Sequence, residues 1–149
     1  MASQEQPERP PAGYSDRFLS FRAGAREYAI ALEQVSGLAD CGPVRCVEGT
    51  PREVLGLSEW RGRLLTVLDL PGLLGEPQSQ GPMCLIRLSG SMTCTALRVP
   101  APVTLLTTAD CEVEGGSESA PEGFIMVDPV ELVYRLEAEI LAGDRAGRD

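Results

Sequence analysis

Apolar positions in this chain recur mostly at a period of two, the spacing of half-buried β-strands, and only once at the period of a long helix. Phe18–Arg22 and Glu27–Leu32 are two such runs, and Ala23-Gly24-Ala25 between them marks a hairpin. In the second run Tyr28, Ile30 and Leu32 alternate with Ala29 and Ala31, so one face carries bulk and the other is small. A short strand over Val44–Val47 follows, then a break at Gly49-Thr50-Pro51. Thr50 as cap, Pro51 at the first position and Gly56 as stop predict a single helical turn over Pro51–Leu55. Arg63–Leu68 is dense in apolar residues, as strands buried on both faces are.

Asp69 then opens a short helix through Leu73 and Leu74, stopped by Gly75. Met83–Leu88 and Thr93–Val99 flank Ser89-Gly90-Ser91, the clearest hairpin signal in the chain. Pro100 and Pro102 restrict the next segment to an edge or a corner, and Val103–Thr107 is a further strand. The strongest helix signal comes last. Asp128-Pro129-Val130-Glu131 is a capping-box variant, and Val133, Leu136 and Ile140 follow at helical spacing, with Leu132 and Leu141 widening the stripe. The strand–Asp–helix run of Leu65–Leu74 is echoed by Phe124–Val133, which suggests two similar lobes, each closed by such a corner.

Between these elements lie stretches without pattern. Residues 1–16, rich in Pro, Gln and Glu, are expected to form a disordered arm; Gly75–Gly81 is a linker; Glu112–Gly123 is expected to be a mobile acidic loop. The fold class expected is mainly β: one domain over residues 17–141, with short helical turns, a C-terminal helix and a frayed tail over 142–149.

Composition narrows what such a domain can do. The 149 residues are 43% hydrophobic, enough for one real core. There are 13 basic residues against 22 acidic ones, a net charge of −9, which opposes binding to nucleic acid or to an anionic membrane. The chain has no His, and all its basic residues are Arg. The commonest general base, the commonest zinc ligand, the Schiff-base amine and the Walker lysine are therefore all missing, which disfavours an enzyme and points to no metal and no cofactor. Five cysteines without a CxxC, together with the lack of an apolar leader, predict reduced thiols and a cytoplasmic location. The longest apolar stretch, Leu64–Leu74, is too short to span a bilayer.

Four pieces in order resemble the CheW family of chemotaxis coupling proteins. They are Phe18–Phe21 with Glu27–Ile30; Val35-Ser36-Gly37-Leu38; the run from Thr50-Pro51 through Val54–Leu57, Arg61-Gly62 and Val67–Leu70 to Leu74; and the ending Phe124–Val133. The third piece is the most specific. The resemblance implies two small β-barrel lobes around a shared apolar seam. It also implies a non-enzymatic adaptor that bridges a chemoreceptor's cytoplasmic helical tip and a CheA-type histidine kinase, with no cofactor. The chain departs from the family pattern at Gly37, where an acidic residue is usual, and at Glu59-Trp60, where Asn is usual ahead of the Arg-Gly pair.

The partner-binding candidates are Val35, Leu38, Gly56, Trp60, Arg61 and Gly62. Arg61 offers a fork of donors to an acidic or carbonyl-rich helix; its alternative is local pairing with Glu59 or Glu53. Trp60 fits either a core anchor or an interface hot spot. Val35 and Leu38 fit either core or the floor of a groove for a receptor helix. Gly56 and Gly62 fit backbone requirements, and Asp69 and Asp128 fit helix caps better than a catalytic carboxylate pair. Cys84 and Cys94 flank a hairpin and are placed near one another. Two other functions stay open: a divergent CheW-like regulator that binds receptors but couples poorly or not at all to the kinase, and a thiol-based redox sensor or enzyme using Cys46, which Arg45 adjoins.

Overall fold

Alternation produces the first hairpin much as expected: β1 (Arg17–Ala23) pairs antiparallel with β2 (Arg26–Ala31), Phe21 lying opposite Tyr28. Their rings stack at 5.7 Å between centroids. The computed structural model describes residues 17–78, 80–107 and 123–147, with residues 142–147 as backbone alone. The expected arm over 1–16 and most of the expected acidic loop lie outside the described residues.

After a 3-10 turn at Leu32–Gln34 comes β3 (Val35–Asp40), a strand that the sequence pattern did not mark. The strand expected over Val44–Val47 reduces to an isolated bridge between Arg45 and Leu57. The helical turn expected over Pro51–Leu55 is not formed. Thr50 Oγ1 donates to the Val47 carbonyl at 2.8 Å, Val54 N–H closes a tight turn onto the Pro51 carbonyl at 3.0 Å, and the chain enters β4 (Val54–Trp60). β4 pairs along its length with β5 (Arg63–Asp69), and that ladder satisfies more backbone groups than one helical turn can. α1 (Leu70–Leu73) follows at once.

β6 (Met83–Leu88) and β7 (Thr95–Pro100) form the second expected hairpin, closed by a 3-10 turn at Gly90–Met92. β8 (Thr104–Thr107) and β9 (Ile125–Val127) return to the first hairpin, and α2 (Pro129–Gly147) ends the described chain, running beyond Leu141. One sheet has the order β8-β1-β2-β9 and the other β3-β6-β7-β5-β4. The fold is mainly β, in two lobes with a C-terminal helix. The lobes are not successive halves of the chain: the middle builds one, and the two ends build the other.

The seam between the sheets is the main core. Leu19, Phe21, Tyr28 and Ile30 from the first sheet meet Leu68, Ile86, Leu88, Leu97 and Val99 from the second, and α2 closes over them with Leu132, Val133 and Leu136. Ile86 and Leu97 are fully buried here, each burial contributing about 1.5–3 kcal/mol. Leu141, read as part of the helix's apolar stripe, is exposed instead. A second, smaller cluster of Leu65, Val67, Leu85 and Ala96 fills the other face of the five-stranded sheet, with Cys41, Val44, Leu55 and Trp60 packed around it. β5, β6 and β7 are thus covered on both faces, which explains their dense apolar composition.

Candidate partner-binding site

Trp60 and Arg63 are paired across a two-residue turn of Arg61 and Gly62, which have φ of 52° and 83°. Positive φ at both central residues is the requirement of the hairpin turn that matches strand twist. Gly62 meets it freely. Arg61 is the one non-glycine residue at positive φ among the described residues, a conformation that costs about 1–2 kcal/mol. Its side chain projects from an exposed position and forms no ion pair among the described residues, so the local pairing with Glu59 or Glu53 is absent.

Trp60 lies half-buried against the smaller core cluster. Its indole also reaches the opposite edge of the sheet: a Cβ built on Gly37 would stand 2.9 Å from its Cζ2. β3 and β4 are the two edge strands of the sheet, so this contact spans from one edge to the other. The sheet is not a closed barrel, but the connection from β3 adds one rung to the free edge of β4, with Arg45 N–H to the Leu57 carbonyl at 2.7 Å and Leu57 N–H to the Arg45 carbonyl at 2.9 Å. Ser58 Oγ adds a bond to the Pro43 carbonyl at 3.0 Å. Gly56 is buried where that bridge approaches, at φ 139°, and a Cβ there would be 2.0 Å from the Arg45 carbonyl oxygen. Its requirement is a close backbone approach.

The six candidates do not form one patch. Trp60, Arg61 and Gly62 share the hairpin tip, while Gly56 is enclosed further down β4. Val35 is half-buried against the seam core. Leu38, 44% exposed, is paired with Ile86, whereas Gly37 is paired with Arg87; by strand alternation Leu38 faces the seam side and Gly37 the Trp60 side. The sequence-based choice also missed a depression of about 710 Å³ lined by Pro43, Val44, Arg45, Leu57, Ser58, Glu59 and Leu64. Leu64 there is 65% exposed. Its place in a dense apolar run made it look like core, and only the register with Glu59 puts it on the outer face.

Two polar groupings lie away from the tip. Asp69 is buried and paired in register with Arg98. It stands at the N-cap position of α1 without a capping hydrogen bond and accepts one from Gln78 Nε2 at 3.2 Å. Burial pushes its carboxyl up, against the opposing charge of Arg98 and the nearby Gly72 amide. Asp128, in contrast, accepts from the Val130 and Glu131 amides at 3.2 and 3.4 Å, a true cap. Across the lobes, Tyr28 Oη donates to Glu76 at 2.5 Å, and Arg26 stands 3.8 Å from the same carboxylate.

Among the thiols, burial pushes Cys41 and Cys84 up, away from the reactive thiolate form. Cys84 sits opposite Val99, while Cys94 precedes β7 at the turn end of the hairpin, so the two are not neighbours. Cys46 is exposed.

Comparison with known proteins agrees with this architecture. The model of the CheW-like domain matches residues 17–109. No curated protein matches the sequence. Among solved structures, the scaffolding protein TtCheW from Thermoanaerobacter tengcongensis superposes with a TM-score of 0.56 at 18% identity, over 62% of this chain and 64% of that one. The chain therefore spans less than two thirds of that scaffold's length, and the likeness is one of fold.

Proposed function

Because the chain belongs to the CheW-like domain family, we propose that it acts as a non-enzymatic adaptor of chemosensory signalling, bridging a chemoreceptor's cytoplasmic helical tip and a CheA-type histidine kinase. The observation that carries this reading is Arg61: an exposed guanidinium, held at positive φ on a hairpin tip, with no ion pair among the described residues. A planar fork of donors presented in this way suits an acidic or carbonyl-rich helix surface. Val35 and Leu38 on β3 supply apolar surface on the seam side, apart from the hairpin tip. Bridging needs a second surface, and the depression lined by Leu57 and Leu64 on the β4–β5 hairpin offers one.

No transfer chemistry enters this function. The reading places the protein in the cytoplasm; no helix among the described residues is long and apolar enough to cross a membrane. The test is a charge reversal. Arg61→Glu is expected to abolish capture of a soluble receptor-tip fragment while the circular dichroism and urea midpoint stay those of the wild type. Undiminished capture would remove Arg61 from the site. Kinase binding, measured separately, separates the bridging adaptor from a regulator that engages receptors alone: association with both partners leaves only the adaptor.

A further inference from the structure

We infer that Trp60 is a positioning residue: by seating its indole on Gly37 of the opposite edge strand, it holds the Arg61–Gly62 turn in the conformation that presents Arg61. The inference rests on the receptor-binding reading of Arg61 and adds to it the element that fixes the arginine in space.

Three observations carry it. The turn needs an internal restraint, because Arg61 occupies a backbone region that a non-glycine residue leaves unless its surroundings over-determine it. Trp60 is the residue immediately before Arg61 and the last of β4, so whatever fixes the indole fixes the base of the turn. The indole is fixed from outside its own hairpin. It packs on the small core cluster and reaches Gly37 in β3, the strand at the far edge of the sheet, whereas a side chain at position 37 would occupy the same space. Gly37 and Trp60 thus form one unit, a flat seat and the ring that fills it. The ladder beside the turn offers less restraint, since β4 is an edge strand and pairs in the sheet with β5 alone.

The unit predicts energetic coupling between two residues far apart in sequence. Gly37→Ala places a methyl group against the outer indole ring and displaces it, without altering Arg61 or the seam core. Four measurements on the full-length protein read the consequence. Indole emission is expected to shift to longer wavelength. Amide exchange at the Trp60–Arg63 pair is expected to accelerate. Affinity for a purified chemoreceptor cytoplasmic-hairpin fragment from the same genome is expected to fall by at least about tenfold. In a Trp60→Phe background, which lacks the outer ring, Gly37→Ala is expected to add little further loss, the signature of a shared contact.

Affinities are compared per folded molecule, with urea midpoints confirming that each variant folds. A purely structural role would lower the midpoint and leave affinity and coupling untouched, and that result overturns the inference. If Arg61→Glu binds the fragment as the wild type does, the receptor-binding reading falls by itself. Accelerated exchange at the turn in Gly37→Ala then still supports the positioning role, and unchanged exchange refutes it.

Discussion

Gly56→Ala tests what the Arg45–Leu57 bridge contributes to the second lobe. The added Cβ would stand 2.0 Å from the Arg45 carbonyl oxygen, 2.6 Å from its carbon and 3.0 Å from the Cys46 Cα. These are backbone atoms, so no side-chain rotation relieves the clash. The segment carrying Arg45 must move, and the two hydrogen bonds it exchanges with Leu57 break. Each such bond contributes about 1 kcal/mol net. Holding alanine at a φ of 139° adds a strain of about 1–3 kcal/mol if the strand does not relax. The sum is about 3–5 kcal/mol, a large share of the 5–15 kcal/mol typical of a folded domain.

Trp60 is the only tryptophan and reports on the lobe concerned, so urea unfolding followed by its fluorescence is the natural assay. With an m-value of about 1.5–2 kcal/mol/M, the midpoint should fall by about 2–3 M. Exchange at the Arg45 and Leu57 amides should accelerate before the seam strands open. A midpoint within about 0.5 M of wild type, with both amides still protected, would show that the bridge is not what Gly56 serves. The same experiment bears on function: loss of receptor binding in Gly56→Ala should follow the unfolded or distorted fraction, since an enclosed glycine touches no partner.

Two further predictions concern the polar groups away from the tip. Tyr28→Phe removes the bond to Glu76 that ties the linker after α1 to the first hairpin, and should destabilise by about 1.5–3 kcal/mol in thermal or urea unfolding. Burial, with Glu76 close by, raises the Tyr28 pKa, so the contribution is complete below 10.0 and lost as the pH rises through the folded value; a stability difference between wild type and the Tyr28→Phe variant that persists unchanged in strong alkali would contradict this. Asp69→Asn should leave the protein at least as stable near neutral pH, because burial disfavours the charge. The raised folded pKa means that wild type gains on the Asp69→Asn variant as the pH falls towards 3.8, and paired unfolding curves across that interval check the sign.

What was legible in the chain followed from local pattern. Tyr28 and Ile30 alternating with alanines, the apolar density of Arg63–Leu68, the Ser-Gly-Ser turn and the Asp128-Pro129 start each specify their element within a few residues, and each is present. β4 was obscured because Thr50-Pro51 imitates a helix start, and because the bulge between Val54 and Gly56 interrupts the alternation. β3 was obscured because Ser36, Gly37, Ala39 and Asp40 are weak strand formers, and its place is set by pairing with β6. Half of the candidate site shared that fate. Arg61 and Gly62 sit together because they adjoin in sequence, but the contact of Trp60 with Gly37 spans opposite edges of a sheet, which no local pattern encodes.

The repeated strand–Asp–helix motif shows how one residue's offset changes a carboxylate's role. Both strands enter parallel pairs, β5 with β7 and β9 with β2, and both turn into a helix through an aspartate. An N-cap side chain accepts from the amides of the second or third helical residue. In α2 the proline is the first residue, whose amide the cap does not use, so Val130 and Glu131 both donate to Asp128. In α1 the proline is Pro71, at the second position, which deletes one of the two donors and leaves Asp69 uncapped. The released carboxylate instead meets Gln78 and lies in register with Arg98. The first corner therefore retains a buried charge where the second has a satisfied cap. Burial at the first corner raises the Asp69 pKa, and the contrast between the two corners predicts that neutralising Asp128 costs the fold about 1 kcal/mol while neutralising Asp69 does not.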